Sequence, residues 1–501
     1  MGYILAHDVG TGGSKAVLVT EQGRVIASDF EPYSTQYPHP HWAEQNPDDW
    51  WHAIAVTTRR LLKAKKIPPA KILAMTFASQ MMGILPVDAK SLLLRPAIIW
   101  LDGRAIEEAR AVMRKVGGAE IFARLVGVAL TGKDVIPKML WLKNNEPDVY
   151  RRAAMILDVG SYLLYRATGR LIYEWSGASV TGLFSLRRKT WDTGLMRLFG
   201  LEAGKFPELA PSTEKVGGLS RAAAKDCGLL EGTPIIAGAG DAPAAAVGSS
   251  AVGEGDGHIC LGTSGWIGIV TSRPIAGKRG IATIQSADPE KLFLIAESET
   301  VGACLEWAAR ELYQADPGSK IFARMDAEVA SAEPGAGRLL FTPWMYGERC
   351  PIADECVRSA FLNLCHTHQR GQMTRAVYEG VAYNLRWMLD SIAELYHFRP
   401  EPIRAIGGGA RGLPWLQIIA DVCGRTIESV PSPQEAGAVG VALVAAIGLG
   451  IYPSFEAIKT LVRPEHTITP NPAPKPVYDE MYSAYRKVYR SLRRLYRSLN
   501  S

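Results

Sequence analysis

Cysteine is scarce in this chain, and none of it is arranged for chemistry. The seven cysteines, Cys227, Cys260, Cys304, Cys350, Cys356, Cys365 and Cys423, include no C-x-x-C pair, which excludes a zinc ribbon and a dithiol redox motif. Their odd number argues against a disulfide framework, so reduced thiols in a cytosol and a cytoplasmic location are expected. "CHTH" at 365–368 has no second ligand pair nearby and is no metal site. An apolar run of the roughly 20 residues that a membrane span needs is also missing. The nearest, "AGAVGVALVAAIGLGIY" at 436–452, is rich in Gly and Ala, follows Glu435, and reads as a buried helix. No basic region precedes the strand pattern of "MGYILAHDVGTGG", so no signal peptide is expected. Neither a G-x-x-x-x-G-K-[ST] loop nor the pair H-R-D and D-F-G occurs, which excludes the two commonest phosphoryl-transfer plans.

What is present is a globular composition. The 501 residues are 47% hydrophobic and 21% charged, too long for one ordinary core and far from a disordered balance. Lysine and arginine exceed aspartate and glutamate by 56 − 50 = 6, and much of that excess sits in "YRKVYRSLRRLYRSLNS". Tyr478, Tyr482, Tyr485, Tyr489, Leu492 and Leu499 recur there at helical spacing, which predicts a docked terminal helix with a basic wet face. A solvated basic face implies neither a nucleic-acid nor a membrane partner.

Two Gly/Thr turns stand about half a chain apart. "HDVGTGGSKAVLV" (7–19) and "ICLGTSGWIGIV" (259–270) share G-T-x-G between apolar strands, which predicts two hairpins in two related lobes. Successive amides in such a turn form a concave nest for phosphate. Only the first copy carries flanking charges, Asp8 and Lys15. A third cluster, "IRAIGGGARGLPWLQIIADVCG" (403–424), satisfies G-x-G-x-x-G through Gly407, Gly409 and Gly412, and Glu428 stands where a dinucleotide fold would hold ribose. That pattern alone also fits a nicotinamide oxidoreductase, although less than a full doubly wound domain follows it. In "IIAGAGDAPAAAVG" (235–248), Asp241 lies between a strand end and an alanine-rich helix with Pro243 in its first turn, where a side-chain cap is expected.

Taken together and in order, these segments resemble the FGGY carbohydrate kinases, most closely their xylulokinase-like branch. The resemblance is carried by "DVGTGGSK" (8–15), "HWAEQNPDDWW" (41–51), "SQMMGILPVD" (79–88), "LRPAIIWLDGRA" (94–105), "PKMLWLKNNEPDVY" (137–150), "GAGDAPAAAVG" (238–248), "LGTSG" (261–265), "GERCP" (347–351), "EGVAYNL" (379–385), "GGGARGLPWLQIIADVCG" (407–424) and "EAGAVGVAL" (435–443), which cover nearly the whole chain. It implies an α/β fold of two actin-like ATPase (ribonuclease H-like) domains with an interdomain cleft. The expected divisions are an N-terminal kinase domain at 1–245, a C-terminal one at 246–463, and a linker with the basic helix at 464–501.

The resemblance further implies ATP and Mg²⁺, a small sugar as acceptor, and a homodimer. It assigns Gly10, Thr11, Gly12 and Lys15 to the first phosphate motif, Gly262, Thr263 and Ser264 to the second, and Gly408, Gly409 and Ala410 to adenosine. Asp8 would stand near the magnesium, through water, and Asp241 would be the catalytic base, with at least one carboxylate oxygen free in the cleft. Met81, Met82, Asp102, Arg104 and Asp241 match acceptor positions. The expected acceptor is a ketopentose, D-xylulose before ribulose or an erythritol-like polyol; the other class is a non-catalytic, sugar-responsive paralogue. Two departures stand out. Met82 replaces the histidine of Q-M-H-G, and a thioether cannot donate to a hydroxyl. "YEWSGAS" (173–179) replaces T-D-x-S-x-A-S and leaves the acid one carbon longer at Glu174. Outside the resemblance, Met81 and Met82 read as core and Asp102 with Arg104 as a surface ion pair.

Overall fold

Strands β1 (Tyr3–Val9) and β2 (Gly13–Thr20) form the first hairpin, paired from Tyr3 opposite Thr20 to Val9 opposite Ser14. Both faces of this pair are apolar because both are covered: Leu5 and Leu18 pack with Trp50, Trp51, Ile54 and Leu61, whereas Ile4, Ala6, Val17 and Val19 join a second cluster on the opposite side. The computed structural model describes residues 2–118, 121–122 and 130–500.

The first lobe continues with β3 (Val25–Pro32), α1 (Pro47–Lys65), β4 (Ile72–Ser79), α2 (Val135–Asn145), α3 (Trp175–Ser179), β5 (Lys215–Gly218), β6 (Pro234–Ile236), β7 (Ala239–Gly240) and α4 (Asp241–Gly248). Its sheet runs β5-β6-β4-β1-β2-β3, with β7 pairing with the far end of β4. Strands β1, β4 and β6 are parallel neighbours, while β1, β2 and β3 form an antiparallel meander.

The second lobe repeats the plan. It comprises β8 (Gly257–Leu261), β9 (Gly265–Thr271), β10 (Ile281–Gln285), β11 (Leu292–Ser298), α5 (Gly302–Tyr313), α6 (Arg370–Tyr396), β12 (Ile403–Ile406), α7 (Leu413–Cys423), β13 (Ile427–Ser429), α8 (Ala436–Gly448) and β14 (His466–Ile468). The order β10-β11-β9-β8-β12-β13-β14 again joins an antiparallel meander to parallel strands, here β8, β12 and β13. The expected two-lobed, actin-like α/β architecture is what the chain adopts. The glycine cluster at 407–412 leaves β12 inside this mixed sheet, which excludes the doubly wound dinucleotide fold.

Helices α4 and α8 meet where the lobes join, packed so closely that small residues are required. A Cβ on Gly440 would fall on the carbonyl of Ala244, and one on Gly248 on the carbonyl of Ala436. The apolar run at 436–452 is therefore a buried helix, as its composition predicts, and no helix among the described residues is long and apolar enough to cross a membrane. The basic tail forms α9 (Lys475–Asn500), docked through Tyr478, Met481, Tyr482, Tyr485, Val488 and Tyr496. Tyr485 donates to Asn384 Oδ1 at 3.1 Å and Arg375 to the Tyr478 hydroxyl at 2.8 Å, both on α6. Leu499, expected on the docked face, is 70% exposed, although Tyr496 is buried and Asn500 Nδ2 donates to Cys356 O at 3.0 Å.

Candidate active site between the lobes

Both Gly/Thr turns face the junction, held through their carbonyls. In the first, the Tyr33 hydroxyl donates to Gly10 O and Gln45 Nε2 to Thr11 O at 2.7 Å, while Trp100 Nε1 donates to Thr11 Oγ1 at 2.8 Å. In the second, Gly262 O accepts from Gly302 at 2.8 Å and Thr263 O from Val301 at 3.0 Å, the entry to α5. Among the described residues no hydrogen bond engages the amides of Thr11, Gly12 or Thr263. Gly12 and Thr263 are exposed, and a side chain at Gly12 or Gly408 would enter open space. Turns with open amides of this kind are able to receive an anion.

Asp8 is the penultimate residue of β1, beside the first turn. Burial raises its carboxyl, Lys15 lowers it, and Glu435 raises it again. Lys15 does not project freely toward a phosphate: its ammonium binds Glu435 at 2.7 Å and Gln434 O at 2.8 Å, both in the second lobe. A Cβ on Gly437 would lie 3.0 Å from Asp8 Oδ2, so the first turn of α8 abuts the carboxylate.

Asp241 does not cap its helix. Gly240 occupies the cap position, because its backbone stays extended to pair in β7 against Ser79, and Asp241 becomes the first helical residue. Its Oδ1 accepts only the Ala242 N–H, at 2.8 Å, and Oδ2 has no protein partner among the described residues. Burial, the negative charge of Asp8 and that of Glu297 push its carboxyl up to about 7. The positive helix end, expected to favour the ionised form, is outweighed by lost hydration and like charge.

The expected acceptor positions Met81, Met82, Asp102 and Arg104 have different surroundings. Gly240 lacks a side chain where the Met81 sulfur packs, so Met81 lies against the start of α4. Met82 takes a left-handed backbone, φ 62°, which aims its carbonyl at Lys138 Nζ, 3.1 Å away. Its side chain packs with the cluster around Trp42, Ile84 and Met139. Lys138 is fully buried on α2, and burial lowers its ammonium to about 7 against the opposing pull of Asp102 and Asp134.

Asp102 and Arg104 are no surface pair. Both side chains are 0% exposed, Arg104 lies 3.7 Å from the Trp42 ring centroid, and its guanidinium binds Asp102 Oδ2 and Glu44 Oε1 at 2.7 Å each. Among the described residues Arg104 Nη1 is buried without a partner. The burial comes from Trp42 and Trp141, which residues 94–105 alone do not disclose. Ala410 lines a cavity of about 360 Å³ with Arg411, Ser429, Ser432, Gln434 and His466, between α7 and the sheet edge.

The structure adds residues that sequence reasoning missed. Arg349, in the quoted "GERCP", binds Glu297 at 2.5 Å and Glu299 at 2.8 Å, and Lys133 of the first lobe reaches Glu299 at 3.4 Å. Against the upward pull of burial, Arg349 and Lys133 hold Glu299 below the usual carboxylate range. Only Arg349 lay in a motif; Glu297 and Glu299 sit at an unremarkable strand end.

Comparison with known proteins gives this geometry a context. The FGGY family of carbohydrate kinases matches through its N-terminal domain at residues 3–248 and its C-terminal domain at 257–449. A xylulose kinase of Escherichia coli (strain K12) is 31% identical over 444 residues, 88% of this chain and 89% of that protein. A gluconokinase of Bacillus subtilis (strain 168) is 27% identical over 474 residues, 93% and 92% of the two chains. The solved structure of ligand-bound xylulose kinase from Lactobacillus acidophilus covers 100% of both chains with a TM-score of 0.90 and 26% identity.

Proposed function

Since the chain belongs to the FGGY family of carbohydrate kinases, we propose that it transfers the γ-phosphoryl group of ATP to a primary hydroxyl of a ketopentose, forming D-xylulose 5-phosphate from D-xylulose. The observation that carries this reading is Asp241, with one unpartnered carboxylate oxygen and a carboxyl raised to about 7, next to Met81 and within electrostatic reach of Asp8. A base poised near neutrality is ionised for much of its working life and still strong enough to take a hydroxyl proton. ATP consumption fits a cytoplasmic setting.

The residues fit the cofactors. The open amides of Thr11, Gly12 and Thr263 suit the phosphates, and the cavity at Ala410 suits the adenosine. Asp8, whose negative charge acts on Asp241, offers hard carboxylate oxygens of the kind that suits Mg²⁺, and would hold the ion through water. When bound, Mg²⁺ neutralises charge on the phosphate oxygens.

The chain's own part is alignment and proton transfer. Asp241 Oδ2 takes the proton as the sugar oxygen bonds to the γ-phosphorus, and the electron pair of the breaking P–O bond leaves with ADP. Met81 supplies an apolar wall. In this reading Lys138 Nζ, bonded to Met82 O, and the Arg104 guanidinium, bonded to Asp102, stand in for the family's histidine as donors beside the acceptor positions.

ADP release measured with ATP and Mg²⁺ over ketopentoses, tetritols, hexuloses and gluconate tests the reading. D-Xylulose should give the highest kcat/KM, and Asp241→Ala should lower kcat by roughly 10²-fold or more. Full activity in that variant, or a clear preference for another acceptor class, would remove the proposal.

A further inference from the structure

Helix α3, only five residues long, is tied at its two ends to different lobes. At its start, Glu174 Oε2 accepts from the Ser176 N–H at 2.9 Å, the Gly177 N–H at 3.2 Å and the Ser176 hydroxyl. The same Ser176 oxygen accepts the Gly240 N–H at 2.8 Å. At its end, the Ser179 hydroxyl donates to Ser176 O at 2.7 Å and accepts the Gln285 N–H at 3.0 Å. A continuous chain of hydrogen bonds therefore runs from Gln285 through Ser179 and Ser176 to Gly240. Every member is buried, so a broken link leaves a donor that water does not readily satisfy.

The ends of this chain are mechanically distinct. Gln285 closes β10, which pairs with β11 from Ile281 to Gln285, and β11 pairs with β9, so Gln285 moves with the sheet of the second lobe. Gly240 caps α4, immediately before Asp241, and is wedged between the Ser176 hydroxyl and the Met81 sulfur. A displacement of α3 thus carries the aspartate and the acceptor wall together.

We propose that α3 couples closure of the lobes to the placement of Asp241, with Ser176 and Ser179 as positioning residues; this rests on the reading of Asp241 as the base. A lobe that closes draws Gln285, and through Ser179 and Ser176 sets the start of α4. Sub-ångström placement of the base decides the rate, so the coupling acts on kcat rather than on sugar binding. The departure Glu174 keeps the chain anchored, since its carboxylate receives three donors at the helix start.

Two measurements test it. In kinetics with D-xylulose and ATP–Mg²⁺, Ser176→Ala should lower kcat about tenfold or more with KM changed less than about twofold. The double variant with Ser179→Ala should be little worse than Ser176→Ala alone, because the two act in series, and Ser179→Thr should recover the loss of Ser179→Ala. Multiplying effects would overturn the coupling. Independently of turnover, hydrogen exchange of residues 239–248 should quicken in Ser179→Ala, since the Ser179 hydroxyl bonds Ser176 and Gln285 and none of those residues. Unchanged exchange there would also overturn it, and this arm holds even where Ser176→Ala fails to fold. Activity retained by Asp241→Ala would instead remove the base reading, leaving the exchange result to decide the coupling.

Discussion

Asp8, Asp241 and Glu297 place like charge in one cleft, and the fold bears a cost for it. The Asp241 carboxyl rises to about 7 from 3.8, first through burial, then through Asp8 and Glu297. The folded chain therefore holds a proton that the unfolded chain has lost, and stability falls as pH climbs between those two values, by about 1.4 kcal/mol per unit at most. Asp241→Asn should raise the melting midpoint, and by more at pH 8 than at pH 5. For the same reason kcat/KM should climb with pH and level off near 7. Differential scanning fluorimetry and a pH–rate series check these, and an acid limb near pH 4 would contradict them. Arg104 behaves in the opposite sense. Removing it in Arg104→Ala leaves Asp102 buried without a cation, while Glu44 keeps Arg95, and should destabilise the chain by about 3 kcal/mol in urea unfolding. Asp241 stood out in sequence because a lone carboxylate between a strand end and an alanine-rich helix has few roles. Glu297, Ser176 and the burial of Arg104 did not, since each acts through partners brought from distant strands.

Elements divide along the same line. The two hairpins were legible because G-T-x-G between apolar strands leaves the backbone few alternatives, and α8 because a Gly/Ala-rich run preceded by an acid is too short for a membrane. The start of α4 was misplaced by one residue, since β7 keeps Gly240 extended through its pairing with β4, a tertiary demand no local window contains. Nor did composition disclose why α4 and α8 are so rich in glycine and alanine. Their backbones approach until Gly440 meets the carbonyl of Ala244 and Gly248 that of Ala436. Gly440→Ala, favourable in an isolated helix, should here force the helices apart and destabilise the protein by about 3 kcal/mol or more. Chemical denaturation checks it, and a neutral or stabilising effect would show that the junction yields.

Across the whole molecule, the lobes are joined by polar contacts that differ in strength. Lys15 with Glu435 is short, 2.7 Å, and lies beside Asp8, whereas Lys133 with Glu299 is longer, 3.4 Å; both lysines keep about a quarter of their side chains exposed. A pair of that length is worth about 1 kcal/mol or less, too little to hold the lobes shut and suited to being remade in each cycle. Its position gives it a role out of proportion to its strength, because Glu299 also binds Arg349, whose other partner, Glu297, acts on Asp241. Closure that completes this relay only with sugar present would keep water from the γ-phosphate, so ADP release without sugar should be a small fraction of that with it. In Lys133→Ala the closed state loses its link on the first-lobe side. The ratio of sugar-independent to sugar-stimulated ADP release should then rise, and the KM for D-xylulose with it, while the melting midpoint moves by no more than a degree or two. An unchanged ratio would mean that closure is secured elsewhere, by the junction of α4 with α8 and the chain through α3.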